Sequence, residues 1–504
     1  MAGCRRRGAG AAALGALAYL TWDVPLSPDI LADDIAGDPR LLNALQNPQT
    51  DSFLRFGTGF AALFAAAGIL GSLRSAGRWA LAAAGTATPL VILAIAYLRT
   101  DIFELETLFG SVALAMAAGF AALTALLETR LAQDARHRDA AIAAYAIASI
   151  AALVGGMAIL LEHGWLVVGL ALLTTAIAWV ETRKPLPVLR WLAVAVAALC
   201  CEMVLREPSI AGDALGTTPV FNWLLYGYGV PALAFGLTAW LLGHRARDLP
   251  QQIFEALTIV FTLATIGVLI HHAMNGGDFY ADADTLREQS LYTLLALAGA
   301  LGLQHLHGKT GGVVIDAAAT LLGALGMLGI AAVHLVLFNP LFSGEPIGSN
   351  AIFNLLIPAY LLPAILCGAL AALSRGKRPA WYVKIAATLA VALAFAWINL
   401  EVRALFHRPR LDLGDVLDAE LYAYSAVWLI LGIALLLAGF RTGSRLLRNA
   451  SAALVALTIV KVFVIDMDGL TGIWRALSFL GLGVVLIGIG ALYQRLLKGA
   501  ATAE

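Results

Sequence analysis

The side chains able to do chemistry gather near the end of the chain, in runs that are otherwise apolar. Trp397-Ile398-Asn399-Leu400-Glu401-Val402-Arg403-Ala404-Leu405-Phe406-His407 is followed by Glu420-Leu421-Tyr422-Ala423-Tyr424-Ser425-Ala426-Val427-Trp428. Further on come Lys461-Val462-Phe463-Val464-Ile465-Asp466 and then Trp474-Arg475. Arg403, Lys461 and Arg475 are suited to hold an anionic group, with Glu401 or Asp466 orienting them or serving as a base. His407, Glu420 and Tyr422 stand at the same level and complete the candidate site. The plain alternative is a set of interfacial anchors, in which Lys and Arg snorkel and carboxylates neutralise nearby cations.

Helical geometry constrains the pairing. Positions 403 and 407 share a face, whereas 401 and 403 are about 200° apart, so Glu401 and Arg403 cannot pair side by side on a continuous helix. Lys461 lies roughly 7 Å inside its helix end at 1.5 Å per residue. Asp466 is about 140° round from it. Its partner is therefore expected on another helix, Glu401 first and Glu420 second.

Elsewhere the signals are weaker. His271 and His272 precede Asn275 and Asp278, and His334 lies on a later segment. Adjacent histidines on a helix diverge by about 100°, which favours local hydrogen bonds over one shared ion. No metal and no cofactor is expected. Glu202 has only Cys201 and Met203 beside it and forms no acid–base dyad. Cys4, Cys200, Cys201 and Cys367 show no metal spacing, and three of them lie in apolar runs. Gly308-Lys309-Thr310 resembles the end of a phosphate loop, but Leu303 stands where the first glycine belongs, so a short basic turn is expected. The zinc motif His-Glu-x-x-His, the nucleophile elbow Gly-x-Ser-x-Gly and an arginine ladder are all missing.

These residues must be positioned by segments that lipid surrounds. The chain has 504 residues, of which 60% are hydrophobic and only 13% charged. That charged share is about half of what a soluble globular chain carries. A soluble enzyme, a disordered protein and a nucleic-acid binder are excluded. Apolar runs fall at about 9–26, 54–73, 79–98, 107–127, 140–161, 164–180, 188–205, 220–242, 253–273, 288–304, 312–337, 351–373, 381–402, 421–440, 449–466 and 476–494. The expected fold is all-α: a polytopic transmembrane helix bundle of about sixteen spans, a single membrane domain over 1–504 with residues 395–497 as C-terminal hairpins. Pro231, Pro358 and Pro363 are placed to break two of these spans. Ala- and Gly-rich stretches such as Ala82-Ala83-Ala84-Gly85 and Gly155-Gly156 favour close helix approach. The first run is read as a retained span, although three arginines before an apolar stretch also fit a signal peptide.

The net charge is zero, but its distribution is uneven. Of 33 basic residues, 22 fall in the N-terminal segment, the tail and the short turns on one face. Nine lie on the other face, whose longer loops carry Asp278, Asp282, Asp284, Asp412 and Asp415. The positive-inside rule then places both termini in the cytoplasm and the Glu401–Lys461 level on the outer side.

The C-terminal runs are similar to those of a bacterial family. Asn399-Leu400-Glu401-Val402-Arg403, Phe406-His407, Glu420 to Ser425, Trp428, Val460 to Asp466, Arg475 to Gly483 and Tyr493-Gln494-Arg495 resemble the predicted membrane proteins grouped as domain of unknown function 2339. The motifs cover about the last hundred residues, and the many-span layout is compatible over the rest. The resemblance implies a membrane location and a helical fold but no activity. The expected protein is thus a multi-pass protein of the bacterial cytoplasmic (inner) membrane, in contact with membrane lipids and with no nucleic acid. Its outer polar site is expected to bind or process an envelope-related substrate, lipid-linked or anionic. A secondary transporter and a membrane scaffold are the two other readings.

Overall fold

Within lipid each backbone N–H and C=O needs a partner inside its own segment, and a helix supplies one at every interior position. The computed structural model describes residues 2–22, 48–74, 79–100, 106–130, 138–210, 215–351 and 353–466, with isolated positions between 480 and 490. Among these the secondary structure is entirely helical, and thirteen segments are long and apolar enough to cross a membrane. The chain is therefore a polytopic helical membrane protein. The described part gathers into two compact units, Met1–Ala281 and Asp282–Glu504.

The first unit contains α1 (Ala2–Leu20), α2 (Pro48–Arg74), α3 (Trp79–Thr100), α4 (Glu106–Arg130), α5 (Arg138–Leu160), α6 (His163–Arg183), α7 (Pro187–Arg206), α8 (Trp223–Gly243) and α9 (Leu249–Met274). Its largest core is built from Leu166, Leu170 and Ile177 of α6, Ala193 and Val196 of α7, Leu224 and Phe235 of α8, and Phe254 and Phe261 of α9. Small residues bring some of these helices very close. A Cβ added at Gly68 of α2 would stand 2.7 Å from the Gly85 Cα of α3, so both positions must stay small. Gly156 likewise packs on Leu114, whereas Gly155 faces open space. Pro231 lies inside an uninterrupted α8 and does not break it, contrary to the expectation for that span.

The second unit contains α10 (Leu286–Thr310), α11 (Val313–Gly329), α12 (Leu362–Ser374), α13 (Ala380–His407), α14 (Asp418–Arg441) and α15 (Arg445–Lys461). Three π-helical segments join them: Ile330–Leu337 prolongs α11, Ile357–Leu361 leads into α12, and Val462–Asp466 prolongs α15. Pro358 and Pro363 sit in the first turns of the second π segment and of α12, where a missing N–H costs least, and the span continues through them. His334 is buried in the first π segment. Its ring nitrogens meet the Ala359 carbonyl oxygen at 2.7 Å and the Thr293 hydroxyl at 2.9 Å. Tyr360 donates to the His334 carbonyl at 2.6 Å, so the two π segments are bonded to each other.

Helix ends follow their capping residues. Asn222, Asp248, Thr285 and Ser444 each accept a backbone N–H three residues on. Thr285 with Glu288 has the spacing of a capping box. Gly308, Lys309 and Thr310 belong to the last turn of α10, and the turn itself is made by Gly311 and Gly312, both at positive φ. The span expected at 476–494 lies mostly outside the described residues.

Candidate functional site

At one end of the second unit, the last turns of α13 meet the first turns of α14, the π segment after α15 and the loops 338–356 and 408–417. Loop packing begins with backbone bonds. Ile347 N–H donates to the Pro409 carbonyl at 2.9 Å, and Leu355 N–H donates to that of Ile347 at 2.9 Å.

Glu420 lies at the base of the first charge network, with no exposed surface. Arg403 reaches both its oxygens at 3.2 Å, His407 Nε2 approaches at 2.8 Å and the Tyr424 hydroxyl donates at 3.1 Å. Arg403 spends its other donors on the carbonyls of Leu411 at 2.9 Å and Gly414 at 3.0 Å. Gly414 has φ of 84°, and a Cβ there would come within 2.9 Å of His407 Nδ1, so glycine is required on both counts. With the Leu413 carbonyl at 3.5 Å, the guanidinium is enclosed by a carboxylate and three carbonyls, and it has little capacity left for an external anion.

The second network centres on Lys461. Its ammonium donates to Asp466 at 2.6 Å, to the Ser425 hydroxyl at 2.8 Å and to the Leu421 carbonyl at 2.8 Å, which uses all three hydrogens. Ser425 in turn donates to Asp466 at 2.5 Å. The partner is therefore Asp466 and not Glu401 or Glu420. The reason is local: from Val462 the helix widens to π geometry, in which residues five apart lie one turn above each other. The 140° separation of an ideal α-helix does not apply there.

Glu401 belongs to neither network. Asn354 donates to its two oxygens at 2.9 and 3.1 Å, and among the described residues no cation pairs with it. Sequence reasoning did not single out Arg408, whose Nη2 donates to the Ala351 carbonyl at 3.4 Å. Its Nε–H is buried without an acceptor, and no carboxylate pairs with it among the described residues. An arginine one residue past a helix end gives no such signal, because its neighbour across the loop is set by tertiary packing. Tyr422 is 43% exposed, and it is Tyr424 that bonds Glu420. Arg475 lies outside the described residues.

The remaining polar candidates have local partners. His272 is bonded to Asn222 at 3.2 Å and to the Gly216 carbonyl at 2.8 Å, and His271 to the Phe279 carbonyl at 3.1 Å. Glu202, expected to be alone, pairs with Arg206 one turn on. In the loop, Arg410 holds Asp412 at 2.7 Å, and these hydrogen bonds keep the carboxyl below its ordinary range.

A polytopic helical bundle with buried, internally neutralised ion networks at its helix ends defines a membrane protein whose charges are built into the fold. The family model described as Predicted membrane protein (DUF2339) matches residues 13–496, and the chain belongs to that family. That match extends well beyond the last hundred residues in which the motifs were recognised. No curated protein and no solved structure matches the chain.

Proposed function

We propose that this end of the second unit faces the outside of a bacterial inner membrane and binds the anionic part of an envelope-related, lipid-linked substrate. The observation that carries the reading is a pair of unspent charges on one short stretch. Arg408 touches Ala351 and keeps a buried Nε–H unmet, while Glu401 is held by Asn354 three residues further along. A guanidinium with an open donor suits a phosphate or carboxylate, and a carboxylate fixed by an amide suits a substrate hydroxyl. Phe342 and Phe353, each 79% exposed on the adjoining loop, provide an apolar surface for the lipid part.

In this reading Arg403 and Lys461, whose donors are taken up by internal acceptors, serve as struts. Arg403–Glu420–His407 fixes the 408–417 loop, and Lys461–Asp466–Ser425 fixes the start of α14. The test is complementation of a deletion strain, scored as sensitivity to envelope-directed antibiotics at matched protein level. Arg408→Gln and Glu401→Gln are expected to lose complementation while accumulating normally. Wild-type behaviour of both would reject the site, and loss shared equally with random loop substitutions would favour a scaffold.

A further inference from the structure

A second site of different character lies in the first unit. A cleft of about 520 Å³ opens between α4, α5 and α6 and the start of α7, within the usual range of small-molecule sites of about 300–1,000 Å³. Its walls are apolar, formed by Ala121, Ala125, Ala146, Ile150, Leu173 and Ala176. The two wall hydroxyls are already spent: Thr124 donates to the Phe120 carbonyl and Ser149 to that of Ala117, both at 2.8 Å. Nothing inside therefore asks for a polar ligand group. From Arg138 to Ile150 along α5 the cleft runs about 18 Å at 1.5 Å per residue.

The mouth is the opposite. Arg138, Arg183 and Lys184 stand there with Glu128 and Asp139, three cations against two carboxylates. Lys184 pairs with Glu128, and Arg138 approaches Asp139 at 3.5 Å. Arg183 lies 5.0 Å from the centre of the Trp179 ring and has no carboxylate partner among the described residues. Arg138 gives one nitrogen to the Glu128 carbonyl at 3.1 Å, while its Nε–H is buried without an acceptor among the described residues.

A hydrocarbon-lined cleft between helices long and apolar enough to cross a membrane, closed at the helix ends by one surplus cation and an unmet guanidinium donor, matches an amphiphile with one negative charge. We infer that the cleft between α4, α5 and α6 is a binding site for an anionic phospholipid, one acyl chain lying along the alanine walls and the phosphodiester resting between Arg138 and Arg183. This site is independent of the proposed one in the second unit.

The test uses the full-length protein in phosphatidylcholine nanodiscs containing a small fraction of phosphatidylglycerol with a photoactivatable acyl chain, followed by peptide mapping. Label is expected in 121–125, 146–150 and 173–177, at least fivefold more than with the same probe on phosphatidylcholine. Arg138→Gln and Arg183→Gln are expected to reduce it at least threefold, and Ala176→Phe, at an exposed wall position, to remove it. Should Arg138→Gln fail to fold, Arg183→Gln and Ala176→Phe still decide the matter. Glycerol phosphate in solution is expected not to compete; full competition would mean a site for free phosphate and overturn the lipid assignment. Equal labelling by both lipids, or label undiminished by Ala176→Phe, would overturn the proposal.

Discussion

Lys461 is accommodated inside an apolar helix because its amine has three acceptors within 2.8 Å. Removing one partner of a buried pair strands the other, at a cost of about 3–5 kcal/mol, whereas replacing both is far milder. Lys461→Met and Asp466→Asn should therefore each lower the thermal midpoint of the detergent-solubilised protein strongly, and the double variant should recover much of the loss. Additive losses would show that the two residues act separately. Asp412 responds to pH with a defined sign. Its carboxyl is depressed by Arg410, so any contribution to loop order is present above its unfolded value and fades as pH falls through the folded one. Arg410→Gln should raise the Asp412 pKa towards the ordinary carboxylate value, read by carboxyl NMR; no change would remove Arg410 as the cause. At this scale the residue types of the polar end were legible in the sequence, but their partners were not. Lys461 was matched to the wrong carboxylates because α-helical spacing was assumed where the backbone is π-helical. Arg408 was passed over because only the folded loop reveals its unmet donor.

Helices as units were the most legible feature. Hydropathy located fifteen of them, since a lipid solvent leaves the backbone no other choice. Interruptions were not legible: prolines predicted breaks at Pro231, Pro358 and Pro363, yet the spans run on, while the π segments carry no compositional mark. Close packing was partly visible, because a small residue is necessary for contact but does not identify the neighbour. Gly85 meets Gly68 backbone to backbone, whereas Gly155 meets nothing. Gly85→Leu should thus destabilise the α2–α3 pair by at least the 1–3 kcal/mol typical of overpacking, about an order of magnitude or more in folded population. Gly155→Leu should be tolerated, and comparable loss in thermal midpoint for both would contradict the difference. Buried Arg190 shows the same limit. In sequence it is one more basic residue near a short turn, but it bonds Glu181 at 3.3 Å, Asp248 at 2.7 Å and the carbonyls of Leu242 and Ala246. It ties α6, α7 and the turn before α9 together.

For the molecule as a whole, the feature to decide is the distribution of 33 basic residues, 22 of which the expected sixteen-span layout puts on the side of the short turns and the termini. That bias is what orients a multi-pass chain. It also decides whether Arg408 and Glu401 meet the envelope or the cytosol, and so whether an envelope substrate can reach them. Cysteine accessibility in intact cells reads this directly. In a background with all four native cysteines replaced, Ala380→Cys occupies an exposed position at the start of α13 and Asp415→Cys one in the loop that follows its other end. A membrane-impermeant maleimide should label the Asp415→Cys protein in intact cells, and the Ala380→Cys protein only after permeabilisation. The reverse pattern would place the polar end in the cytoplasm and contradict the proposed function.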